Sequence, residues 1–113
     1  QLFFDNQVYF DFVKSCKDSG INIPVLPGLL PVLSLGQVRR FCKMCEASLP
    51  TSLEHKLTKA EDEKQPTVGA EWAASQINEL LQGGAPGYHI YALNKPQSTL
   101  QILESLGIEK TAA

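Results

Sequence analysis

The stretch Asn22-Ile23-Pro24-Val25-Leu26-Pro27-Gly28-Leu29-Leu30-Pro31-Val32 decides the fold class. A short apolar run ends in Pro-Gly, turns, and meets another proline just before a new helical pattern. An apolar run of this length bounded by turn residues fits a strand buried on both faces, as in a parallel sheet. The expected strand is Ile23–Leu26, with Pro24, which lacks an N–H, near its start. In α/β folds the loop leaving such a strand at its C-terminal end is where ligands bind. The stretch therefore points at a functional rim as well as a fold.

Upstream, Gln1-Leu2-Phe3-Phe4 reads as the end of another strand, and Asp5 or Asn6 caps the helix that follows. Val8, Tyr9, Phe12, Val13 and Cys16 fall on one face of that helix, and Gly20 supplies its stop. Strand, helix and strand with short connections predict a parallel pair with a right-handed crossover. Downstream, Ser34 caps a helix whose stripe is Val38, Phe41, Cys42 and Cys45, with Arg39, Arg40, Lys43 and Glu46 outward.

From Thr51 to Pro66 the chain turns polar and reads as a short surface helix and loop. A longer helix begins at Thr67, carries Val68, Trp72, Ala73, Ile77, Leu80 and Leu81 inward, and ends at Gly83-Gly84. The run Tyr88–Leu93 is a further strand, and His89 is expected to be buried in it. A last helix then puts Leu100, Leu103 and Leu106 inward before Gly107. Three strands, each followed by helix, mean α/β. So thin a sheet suits part of a (β/α)₈ barrel better than a complete small fold.

Composition bounds the function. A chain of 113 residues, 43% hydrophobic, is one domain by size, and a net charge of -2 gives no electrostatic footprint for nucleic acid or an anionic membrane. No apolar run is long enough to span a bilayer. Three cysteines, an odd count, suit a reducing compartment. The chain opens at Gln1 inside an apolar run and so reads as a piece of something longer. Cys42-x-x-Cys45 has metal or redox spacing, but it lies in a helical stripe with no second pair. It reads as two small core residues, and no metal site is expected. Gly83-Gly84-Ala85-Pro86-Gly87 is a helix stop and turn, not a phosphate loop.

The pieces QLFFD, PGLLPV with Gln37 and Phe41, VGAEWA, and HIYALNK followed by LGI stand in an order and spacing that resembles the methylenetetrahydrofolate reductase family. The resemblance runs over essentially the whole chain. It implies a (β/α)₈ TIM barrel of which residues 1–113 form the last three βα units, from the end of strand six to the final helix. It implies a flavoprotein that reduces 5,10-methylenetetrahydrofolate to 5-methyltetrahydrofolate with NADH or NADPH by ping-pong hydride transfer. FAD would be bound mainly by residues upstream of this segment, which would also carry the general acid. No catalytic residue is thus expected here, and the segment alone should be inactive.

By the same resemblance Gln1 matches a glutamine that hydrogen-bonds the pterin. Gln37 and Phe41 match positions near the substrate, which folate and the nicotinamide dinucleotide occupy in turn. Tyr91 and Lys95 match substrate-binding positions at the end of the last strand. Many family members carry arginine where Lys95 stands, and an ammonium offers a point charge in place of a bidentate grip. A homo-oligomer is implied for the full-length protein. The chain stops soon after the last helix, as bacterial-type members do, which implies the short, unregulated, cytoplasmic type. The rival reading is a small self-standing α/β interaction module that uses its exposed sheet edge and has no catalysis.

Overall fold

A computed structural model describes residues 2–92 and 96–107. Five α-helices and two short parallel strands alternate: α1 Asn6–Asp18, β1 Gly28–Leu29, α2 Leu35–Cys45, α3 Thr51–Lys59, α4 Gln65–Gln82, β2 His89–Ile90 and α5 Pro96–Ser105. A single 3-10 turn, Asp62–Lys64, precedes α4. The chain is a mostly helical α/β unit whose strands pair in parallel, Gly28 opposite His89 and Leu29 opposite Ile90, whereas the pair expected across the first helix, Gln1–Phe4 with Ile23–Leu26, is not the one formed among the described residues.

The caps explain where the helices begin and end. Asp5, not Asn6, caps α1, its carboxylate accepting from the Gln7 N–H at 2.9 Å. Asn6 is buried instead and ties α1 to α4 by donating to the Gln76 carbonyl and the Glu79 carboxylate. Gly20 takes φ +81 just past the α1 terminus, where Ile21 N–H reaches back to the Cys16 carbonyl. Ser34 caps α2 as the sequence predicts. The α4 helix starts at Gln65, two residues earlier than expected, because Pro66 fits the first helical turn without losing a hydrogen bond.

Two buried clusters form the interior. In the first, Leu29 and Ile77, Leu80 and Ile102 are fully buried and meet Phe3, Tyr9 and the small residues Ala70, Ala73 and Ala74. In the second, Phe4, Leu30, Val32, Val38 and Cys42 meet Leu53 and Leu57. Strand β1 and the residue after it thus feed both clusters, Leu29 into one and Leu30 into the other. Helix α4 presses on the exit of that strand, since a Cβ on Gly69 would fall on the carbonyl oxygen of Val32.

Several expectations need correction. The strand is Gly28–Leu29, not Ile23–Leu26: Ile23 and Leu26 are exposed, Pro24 has no donor, and the Val25 carbonyl accepts from the Tyr9 hydroxyl at 2.7 Å. Leu2–Phe4 carries no ladder, although Phe3 and Phe4 are buried. Val8 and Phe12 of α1 face outward, as do Leu81 of α4 and Leu100 of α5, whereas Ile102 is the buried apolar residue of α5. Helix α3 is the expected surface helix, but it also has a fully buried edge, Leu53 and Leu57. Here the four-residue spacing of two leucines outweighs a polar composition.

Candidate functional site

Of the residues that the sequence singles out, Tyr91 follows the C-terminal end of β2, and Gln37 bonds the loop that leaves β1. Successive side chains of a strand point to opposite faces. Leu29 and Ile90 point to the helices and join the first cluster. Gly28, His89 and Tyr91 lie on the other face, which in the described residues carries no helix. His89 and Tyr91 are accordingly exposed, Tyr91 by 36%. The expectation of a buried His89 is corrected: its register opposite Gly28 puts it on the open face.

Tyr91 extends the ladder by one bond, its N–H donating to the Leu29 carbonyl at 2.9 Å, just as His89 N–H donates to Pro27. Its ring lies across Gly28. A Cβ placed on Gly28 would stand 2.6 Å from both Cε2 and Oη of Tyr91. The imidazole of His89 meets the Tyr91 ring edge-to-face, centroids 4.8 Å apart at 70°. Gly28, His89 and Tyr91 are one contact group on the open face.

The loop after β1 positions Gln37. Ser34 Oγ accepts from the Gln37 N–H at 3.0 Å, while Gln37 Oε1 accepts from the Leu33 N–H at 2.7 Å. This reciprocal arrangement is a capping box displaced by one residue. It spends the carbonyl of Gln37 on the loop. Among the described residues its Nε2 has no partner, so an amide donor is held beside the strand end. One turn later Phe41 is half-buried against the second cluster.

The structure thus attaches Tyr91 and Gln37 to one segment, at Leu29 and Leu33, and gives Phe41 to the core beneath. Gln1 and Lys95, like Asn94, lie outside the described residues. Gly28 and His89 escaped the sequence reading, which placed one in a turn and the other in a buried strand. The alternation of His89 and Tyr91 around Ile90 was the available signal. Two open clefts, of about 350 and 530 Å³, meet at Trp72 on the helical side, and neither is lined by Gln37, Phe41 or Tyr91.

The Cys42 thiol is pushed up by burial and, secondarily, by the charge of nearby Cys45. That disfavours the thiolate that metal binding or nucleophilic attack requires. No helix among the described residues is long and apolar enough to cross a membrane.

The sequence model of the family "Methylenetetrahydrofolate reductase" matches residues 1–107. A relative from Caenorhabditis elegans described as a probable methylenetetrahydrofolate reductase (NADPH) is 32% identical over 97% of this chain and 17% of its own length. Methylenetetrahydrofolate reductase (NADH) 1 of Arabidopsis thaliana is 32% identical over 96% of this chain and 19% of its own length. The 5,10-methylenetetrahydrofolate reductase of Escherichia coli is 30% identical over 96% of this chain and 37% of its own length. The chain spans between about a sixth and just over a third of the curated relatives it matches. With nearly all its length inside the family model, this chain belongs to the methylenetetrahydrofolate reductase family.

Proposed function

We propose that this chain forms the folate- and nicotinamide-binding rim of a FAD-dependent (β/α)₈ barrel that reduces 5,10-methylenetetrahydrofolate to 5-methyltetrahydrofolate with NAD(P)H. Residues 1–113 would be its last three βα units. The observation that carries this reading is the attachment of Gln37 and Tyr91 to one strand-and-loop segment, in a chain matched by the family model over residues 1–107. That match favours an enzyme over a self-standing interaction module.

The groups at the rim suit a substrate with a flat heterocycle and a polar edge. The exposed Tyr91 ring offers a face for stacking, and the Gln37 amide offers donors to ring acceptors. Gln1 would address the pterin edge and Lys95 the glutamate carboxylate, with Phe41 supporting the bound ring. The described residues do not fit a flavin dinucleotide by themselves. Gly83-Gly84 closes α4 instead of opening a helix toward a pyrophosphate. The flavin would be held by residues outside this chain.

The chain's share of catalysis is then orientation, which lowers the barrier without a bond being made by these residues. Excess 5-methyltetrahydrofolate added anaerobically to the full-length polypeptide that carries this chain tests the reading. Bleaching of a visible flavin band is expected. A flavin band that persists would overturn the substrate, and absence of flavin would overturn the enzyme reading itself.

A further inference from the structure

We propose that Gly28 and His89 are positioning residues for Tyr91, setting the plane of the ring on which the folate heterocycle stacks. This rests on Tyr91 being a substrate-binding residue, as proposed above. Three observations carry it. The Tyr91 ring lies so close over Gly28 that no other residue leaves room for it, a Cβ there standing 2.6 Å from Cε2 and Oη. His89 braces the ring from the side, edge-to-face at 4.8 Å. The ladder bond from Tyr91 N–H to Leu29 fixes the backbone from which the ring projects.

The neighbours decide where the cost of a change falls. The atoms nearest a methyl group on Gly28 all belong to the far end of the Tyr91 side chain and none to backbone. The ring would rotate away, and the strand pair would persist. His89 meets that ring edge-to-face, so truncating it removes a brace. Both residues therefore act on the direction of Tyr91 more than on stability, and neither needs to touch the ligand.

The test is equilibrium titration of 5-methyltetrahydrofolate into variants of the full-length polypeptide, with thermal midpoints recorded beside each affinity. Tyr91→Ala should weaken binding about tenfold, the size of one lost stacking contact. Gly28→Ala should weaken it by a similar factor. Gly28→Ala in the Tyr91→Ala background should add nothing, because the ring it displaces is gone. His89→Ala should weaken binding about threefold, as expected for loss of one aromatic pair, and His89→Phe should restore it. Wild-type affinity in Gly28→Ala, or an effect that adds in full to Tyr91→Ala, would overturn the positioning role. So would failure of His89→Phe to rescue. Wild-type affinity in Tyr91→Ala would instead remove the folate-site reading, and this inference with it.

Discussion

Gly69 shows how much one hydrogen atom in place of a methyl group can decide. Its Cα faces the Val32 carbonyl so closely that an added Cβ would overlap the oxygen. Backbone cannot swing aside as a side chain can, so α4 would have to lift from the strand exit. Gly69→Ala should destabilise the protein by about 3 kcal/mol, at the upper end of overpacking effects, as read by chemical denaturation. Tyr9 offers a second test at this scale. Burial pushes its phenol above the usual 10.0, and its hydroxyl donates to the Val25 carbonyl. A raised acid is held neutral by the fold, so its contribution is complete below pH 10 and lost as pH rises through the folded value. Stability should fall above about pH 10, and Tyr9→Phe should flatten that part of the curve. An unchanged alkaline limb in Tyr9→Phe would show that another group governs it.

Among the elements, α2 joins the clearest sequence signal to an unexpected detail. Ser34 and the Val38, Phe41, Cys42 stripe are local patterns, and the structure keeps both. Its C-terminus is different: Glu46 adopts φ 53, a left-handed conformation usually given to glycine, while Ala47 N–H closes the turn on the Cys42 carbonyl. Glu46→Gly should stabilise the protein by up to about 1 kcal/mol, relief of backbone strain outweighing the entropy of glycine. A lower melting temperature in that variant would mean that the glutamate side chain contributes something the geometry does not show.

Helix starts and stops were legible in the sequence because they depend on a few neighbouring residues, and so was the parallel sense of the strands, but not which strands pair. The position of β1 was not. Ladder bonds depend on which carbonyl a distant Tyr9 or His89 engages, and Val25 and Pro27 are engaged differently. Leu53 and Leu57 were missed for a similar reason: a polar stretch hid a two-residue apolar stripe that only the second cluster completes. At the site, Gln37 and Tyr91 came from a resemblance, but Gly28 and His89 required the register.

At the scale of the molecule, the first cluster buries the Leu29 and Ile90 side of the strand pair and leaves His89 and Tyr91 exposed on the other, with Val8 and Phe12 of α1 also in solvent. An open sheet face and exposed aromatic residues agree with a chain that spans under two-fifths of the relatives it matches. This chain produced alone should therefore show no flavin absorbance and oxidise no NADH, whereas the full-length polypeptide should do both. Flavin retained by this chain alone would place cofactor-binding residues within it.

The indole of Trp72 donates to the Phe4 carbonyl at 3.1 Å, linking α4 to the N-terminal segment across sixty-eight positions, and the Lys56 ammonium stands 5.5 Å from its ring. It is the sole tryptophan of the chain. In this chain its emission under ultraviolet excitation thus comes from one known place, an indole hydrogen-bonded to Phe4. This chain carries its own optical probe of the contact between α4 and the N-terminal segment, with no label to attach.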